Sequence, residues 1–167
     1  DLLNEVDKDS IRFMMLNRSN DVELDFDFDK VKEKSKDNPV FYVQYAYARI
    51  NSLLRTANIN LKSKLVLNDK NFDLNTNEEK IVRKIFEWPK VIESASKKFE
   101  IHKITFYLYD LSILFHSYWS KGNEDKKFKF IENDKIKRIE TLAIIKLLGI
   151  VIQNGMKIIG VSLPNKM

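Results

Sequence analysis

The sequence contains no cysteine. A disulfide scaffold, a thiolate metal site and a cysteine nucleophile are therefore excluded, and the absence suits a reducing compartment. Histidine is almost missing too: only His102 and His116 occur, too few for a histidine-rich zinc site. With 4 glycines and 3 prolines in 167 residues, the chain has little to interrupt long helices. No G-x-x-x-x-G-K-[ST], G-x-G-x-x-G or G-x-S-x-G pattern is present, so phosphate-cradling loops and nucleophile elbows have no carrier. The longest strongly apolar run, residues 142–152, is interrupted by Lys146 and is too short to cross a bilayer. Residues 1–5 lack the basic-then-apolar order of a signal peptide. Asp1 stands where an initiator methionine would, which suggests a piece of a longer polypeptide.

What is present is a core-forming, mildly basic composition. Hydrophobic residues make up 44% and charged residues 32%, with 29 Lys+Arg against 24 Asp+Glu and a net charge of +5. The periodicity predicts helices over residues 8–16, 39–57, 102–121 and from about 134 to Gly155. In the first, Ile11, Met14, Met15 and Leu16 form the apolar face. In the second, Asn38 is placed to cap and Pro39 sits in the first turn. Val43, Ala46, Ile50, Leu53, Leu54 and Ala57 share its core face, whereas Tyr42, Tyr45 and Arg49 form a separate stripe.

Residues 22–29 alternate apolar and acidic with period two, the pattern of a half-buried extended segment, and a short helix over 29–34 follows. Residues 58–75 read as a polar surface loop with a turn near 65–67. Thr76 with Glu79 resembles a capping box, and Pro89 predicts a break after Trp88. The helix over 102–121 is apolar almost all round, which suits the middle of a bundle, and Gly122 is placed to end it. The fold class expected is all-α: a helical bundle with a short extended and helical N-terminal connector.

No stand-alone catalytic set emerges. Asp21, Glu23, Asp25, Asp27 and Asp29 suit a solvated acidic edge better than a metal site, because hard-cation loops also need turn geometry and carbonyl ligands. His116 lies at helical spacing from Tyr109, Ser112 and Trp119 but has no evident carboxylate partner, so it suits a structural or ligand-contacting role. Tyr109 and Trp119 are either packing rings or a binding platform. Lys135, Lys137, Arg138, Lys146, Lys157 and Lys166 enrich the last third in positive charge, just downstream of the aromatics. Cations attract phosphate and exposed rings stack on unpaired bases, so the combination points toward RNA.

Three stretches carry a resemblance. The first is Asp9-Ser10-Ile11-Arg12-Phe13-Met14-Met15-Leu16, followed by Asn20-Asp21 and Leu24-Asp25-Phe26-Asp27. The second is Asn38-Pro39-Val40-Phe41-Tyr42-Val43-Gln44-Tyr45-Ala46-Tyr47-Ala48-Arg49. The third is Asn154-Gly155-Met156-Lys157-Ile158-Ile159-Gly160-Val161 with Pro164-Asn165-Lys166-Met167. In this order they resemble the C-terminal part of the arginyl-tRNA synthetase family, class I enzymes that use ATP to attach arginine to its tRNA.

The resemblance implies a connector over residues 1–36 from a catalytic domain and a DALR-type anticodon-binding helical domain over 37–167. It implies no catalytic residues and no metal in this segment, since neither ATP-binding signature of the family occurs here; ATP and magnesium belong to the full-length enzyme. The implied partners are the anticodon arm of tRNA-Arg and the chain's own catalytic domain, in the cytoplasm, with no membrane and no DNA.

The implied tRNA contacts are Lys36 and Asn38 in the 36–40 loop, then Tyr42, Tyr45 and Arg49 on the helix. Phe115 aligns with a base-stacking aromatic, with His116 or Trp119 as alternatives, and Met167 is the terminal methionine. Thr141 and Gly149 stand where the family carries basic residues; Arg138 and Lys146, about a turn away, are candidates to compensate. Tyr47 stands where the family often has histidine, and Trp119 where it usually has asparagine. A helical protein–protein module with a basic face, or a helical DNA-binding domain, is the competing reading. Tyr and Trp placed for stacking favour RNA over duplex DNA.

Overall fold

The computed structural model describes residues 6–19, 21–22, 31–33, 35–67, 73–133 and 135–167. Helix α1 covers Lys8–Leu16, and its N-cap Asp7 accepts the amides of Asp9 at 2.9 Å and Ser10 at 3.1 Å. Helix α2 runs Pro39–Thr56, with Asn38 accepting the Phe41 amide at 3.3 Å. Helices α3, Thr76–Phe86, and α4, Trp88–Lys98, meet at Glu87. Helix α5 spans His102–Glu124, a 3-10 turn follows at Lys126–Phe128, and strands β1, Ile131–Glu132, and β2, Lys135–Ile136, form an antiparallel hairpin. Helix α6 covers Ile139–Ile158.

The core lies where α2, α5 and α6 meet. Val43, Ala46 and Ile50 of α2, Leu108, Leu111 and Phe115 of α5, and Leu148, Ile152 and Met156 of α6 are buried. Each of these side chains other than Ala46 contributes about 1.5–3 kcal/mol of burial free energy. The helices touch closely. A Cβ on Gly155 would lie 2.6 Å from Leu108 Cδ2, and one on Gly149 would lie 2.9 Å from Ile50 Cγ2. Helix α6 is long and apolar enough by length and composition to cross a bilayer, exceeding the run read from the sequence, yet 56% of that apolar window is buried inside the bundle.

Several expectations shift. Phe13, not Met15, is the buried anchor of α1; Met15 is exposed. The capping box uses Asn75 and Glu78, one residue earlier than expected: Asn75 Oδ1 accepts the Asn77 and Glu78 amides, and Glu78 accepts the Asn75 amide at 3.0 Å. The break near Pro89 falls at Glu87, leaving Pro89 in the first turn of α4, where its missing amide costs nothing.

Gly122 does not end α5. It lies inside the last turn, where a Cβ would sit 3.1 Å from the Phe128 carbonyl oxygen. Helix α6 begins at Ile139 rather than near 134, because the hairpin precedes it. It passes Gly155 and stops at Ile158, where Gly160 takes a φ of +69° and Val161 N donates to the Met156 carbonyl at 2.9 Å.

The described part of the 58–75 loop is less polar in effect than its sequence. Ile59, Leu61, Leu65 and Leu74 pack against the core, and the turn is at 61–62 rather than 65–67. Most of the expected 22–29 extended segment and its acidic edge lies outside the described residues. So does most of the 29–34 helix, of which Val31 and Lys32 are described and helical.

Candidate nucleic-acid interface

The stripe read on α2 meets a matching stripe on α5. The ring of Tyr42 lies 4.3 Å from that of His116 and 5.6 Å from that of Tyr109. Tyr45 stacks on His116 at 5.4 Å and on Phe41 at 5.8 Å. The Arg49 guanidinium carbon sits 4.2 Å from the Tyr45 ring centre and 4.9 Å from that of Trp119. Its Nη2 also donates to the Tyr45 hydroxyl. Tyr42, Tyr45, Arg49, Tyr109 and Trp119 are half-buried, so each keeps part of its surface in solvent.

Electrostatically this cluster is simple. His116 Nε2–H donates to the Tyr42 carbonyl at 3.2 Å, which fixes the tautomer, since a carbonyl only accepts. Burial pushes the His116 pKa down to about 4, against the raising effect of that hydrogen bond, and the nearby Arg49 charge lowers it further. Burial raises the pKa of the Tyr42 and Tyr109 hydroxyls. At neutral pH the cluster is uncharged rings around one guanidinium. The Tyr109 hydroxyl donates to the Lys36 carbonyl at 3.0 Å and so ties the 36–38 turn to α5.

Not every expected contact residue reaches this surface. Lys36 is exposed beside it. Asn38 is buried, and its side chain is committed: Oδ1 caps α2, while Nδ2 donates to the carbonyls of Val31 at 2.7 Å and Glu33 at 2.9 Å. Phe115 is 0% exposed and offers no ring face to a base. The expectation that it stacks is corrected, because α5 turns this residue into the core. His116 is 5% exposed and supports the tyrosines from beneath.

Arg138 is not a free cation. It pairs with the buried Glu78 carboxylate at 3.2 Å and donates to the Asp73 carbonyl. Glu78 also accepts from Tyr118 at 3.0 Å and from Thr141. Lys146 shares an α6 face with Gln153, whose amide donates to the Tyr47 hydroxyl at 2.9 Å. At about 100° per residue, Tyr47 lies roughly opposite Tyr45 on α2, so Lys146 is not brought to the aromatic cluster. The compensation expected of Arg138 and Lys146 is therefore not supported.

At the two positions where a basic residue was expected, Thr141 is buried against Glu78 and Gly149 is pressed against Ile50 and Leu61.

Met167 is 56% exposed at the end of a tail held by Gln44 to the Ser162 carbonyl at 3.0 Å and by Arg55 to the Asn165 carbonyl at 3.1 Å. Arg55 is about 80° around α2 from Tyr45, with the exposed Ser52 between them, so tail and aromatics share one outward half of the helix. One residue of the cluster escaped the sequence reading as a binding candidate: Phe41, signalled only by its four-residue spacing to Tyr45; Tyr109, open in the sequence between packing ring and binding platform, is half-buried against Tyr42.

Chemically, the arrangement offers ring faces, one oriented guanidinium and flanking cations. Ser112 Oγ donates to the Leu108 carbonyl, and His116 to a backbone carbonyl, so neither forms a nucleophile–base pair. Among the described residues no group of three or more His, Asp or Glu is placed to hold a metal ion. These residues do not fit ATP with magnesium.

A family model described as the DALR anticodon binding domain matches residues 43–167. The chain belongs to this family. Among its relatives, the arginine–tRNA ligase of Pelagibacter ubique is 54% identical over 167 residues, covering 100% of this chain and 29% of that protein. That of Brucella ovis is 45% identical, covering 100% of this chain and 30% of its own length. The chain thus spans under a third of the curated relatives it matches.

Among solved structures, a putative arginyl-tRNA synthetase from Campylobacter jejuni superposes with a TM-score of 0.82 at 24% identity, covering 100% of this chain and 35% of that one. The arginyl-tRNA synthetase of Thermus thermophilus gives 0.73 at 21% identity, covering 95% of this chain and 26% of that one. At these identities the likeness concerns the fold. In this DALR domain, Tyr45, Arg49, Trp119 and Met167 lie within the matched residues, while Lys36 and Tyr42 precede them.

Proposed function

We propose that this chain is the anticodon-recognition part of an arginine–tRNA ligase and that its own work is binding. Residues 37–167 act as the anticodon-binding domain, and residues up to 36 connect it to a catalytic domain that supplies ATP-dependent chemistry with magnesium elsewhere in the polypeptide. The partner is the anticodon arm of tRNA-Arg, met in the cytoplasm. The observation that carries this reading is the Arg49 guanidinium held between the half-buried rings of Tyr45 and Trp119. A guanidinium already held against two aromatic rings and hydrogen-bonded to the Tyr45 hydroxyl is preorganised for a phosphate or a base edge, and little side-chain entropy is lost on binding.

The contact surface comprises Lys36, Tyr42, Tyr45, Arg49, Trp119 and Met167. His116 and Phe115 hold its rings from below. Lys36 and Arg49 neutralise phosphates and give the binding its salt dependence. The tyrosines and Trp119 stack on splayed bases, at about 1–3 kcal/mol per base.

The test is binding of a tRNA-Arg anticodon stem-loop against a stem-loop with every anticodon base replaced. A clear preference for the native loop is expected, with affinity falling steeply in salt. Equal binding of the two would overturn base recognition and leave a basic helical module.

A further inference from the structure

One helical turn beyond Arg49 on α2, the aromatic stripe runs into a cleft of about 200 Å³. Leu53 and Phe130 form its floor, Trp119 and Phe128 its side walls, and Asn123 and Lys129 its rim. The back is set by Gly122, where the backbone of residues 128–129 passes so close that a Cβ would meet the Phe128 carbonyl at 3.1 Å and Lys129 Cα at 3.2 Å. Trp119 and Phe128 are half-buried and line the cleft. Each side wall carries a cation: Arg49 lies 4.9 Å from the Trp119 ring centre, and Lys127 Nζ lies 5.9 Å from that of Phe128. Lys129 lines the cleft, and Lys126 and Lys127, just before it in the chain, are exposed.

We infer that this cleft takes one unstacked nucleobase of the same RNA, next to the Arg49 cluster but separate from it. The inference rests on the RNA-binding reading above. The volume falls below the ~300–1,000 Å³ of pockets for drug-sized ligands, so the cleft suits a single ring system. Its apolar walls are aromatic, the surface on which a base of any identity stacks. The exposed Asn123 amide at the rim offers both donors and an acceptor, the complement of a base edge. The lysines beside the mouth meet the phosphates that flank a splayed-out base. The hairpin Ile131–Glu132 with Lys135–Ile136 thereby gains a role: at its end the Lys137 amide donates to the Phe130 carbonyl at 3.0 Å and fixes the segment that lines the cleft.

The experiment uses the full-length polypeptide that carries this domain and a set of tRNA-Arg anticodon stem-loops, each with one loop nucleotide made abasic. Binding is measured for the wild type, for Asn123→Trp, which fills the mouth, and for Asn123→Ala, which leaves it open. For the wild type, one abasic position should weaken binding about 5- to 150-fold, as loss of one stacked base implies. In Asn123→Trp the intact loop should bind more weakly by a similar factor, and that abasic penalty should vanish while penalties at other positions persist. Asn123→Ala, which loses the edge contact but leaves the rings open, should keep an abasic penalty at that position, smaller than in the wild type but not abolished, with the penalties elsewhere unchanged. An identical profile in the wild type and Asn123→Trp, with both folded by circular dichroism, would refute the cleft while leaving anticodon recognition standing. Absence of stem-loop binding by the wild type would remove both.

Discussion

Arg49 and Trp119 are 70 positions apart in sequence, yet the guanidinium carbon of one lies 4.9 Å from the ring centre of the other. The Tyr45 ring centre lies 4.2 Å from the same carbon. Arg49, on α2 with Tyr45, thus reaches Trp119 on α5, and the two rings orient the one charge of the aromatic cluster.

Arg49→Ala should weaken stem-loop binding and lower the slope of log affinity against log salt by about one, the loss of one phosphate-neutralising cation. Arg49→Lys should restore most of the salt slope but not the full affinity, because an ammonium lacks the planar fork that stacks. A salt titration of both variants checks this. An unchanged slope in Arg49→Ala would mean that the guanidinium meets no phosphate.

The buried, neutral state of His116 makes stability depend on pH. Its folded pKa is about 4, below the ordinary value of 6.5, so the unfolded chain binds the proton more readily. Its contribution is full above about pH 6.5 and is lost as pH falls toward 4. The difference amounts to at most about 3 kcal/mol. Urea unfolding between pH 4 and 7 should show the decline, and His116→Gln should flatten it. The same steepness in that variant would place the titrating group elsewhere.

Phe115→Ala should cost about 3–5 kcal/mol of stability, as a fully buried ring replaced by a cavity does. Among molecules still folded, stem-loop affinity should change little. Denaturant melts paired with binding at low temperature separate the two effects; a selective affinity loss at unchanged stability would return Phe115 to the binding surface.

Arg138→Ala should act on stability rather than on RNA. It leaves the fully buried Glu78 carboxylate without its cation, though Tyr118 and Thr141 still donate to it. A loss of about 1–3 kcal/mol is expected, moderated because Arg138 itself is partly solvated. The salt slope of stem-loop binding should stay at the wild-type value. A fall of about one would show a phosphate contact.

Local periodicity carried a good deal of this molecule. Alternation of apolar residues at steps of three and four placed α2 and its core face, and Asn38-Pro39 marked where the helix begins, because capping and the fixed proline φ are properties of adjacent residues. The same arithmetic set Tyr42, Tyr45 and Arg49 apart as a second stripe. The partners of that stripe are a different matter. On a helix as evenly apolar as α5, the choice between Phe115 and Trp119 as the outward ring is a rotation of about 40°, which only packing against α2 and the hairpin settles.

Charge misled for a related reason. Arg138 reads as a cation available to phosphate, but Glu78, 60 positions earlier, is folded against it. Residue order was enough for helices, caps and the composition of each face, since those depend on neighbours within a turn or two. Which face meets which, which cation remains unpaired and where a cleft opens all depended on long-range packing, because contacts between distant segments exist only once the chain has closed on itself.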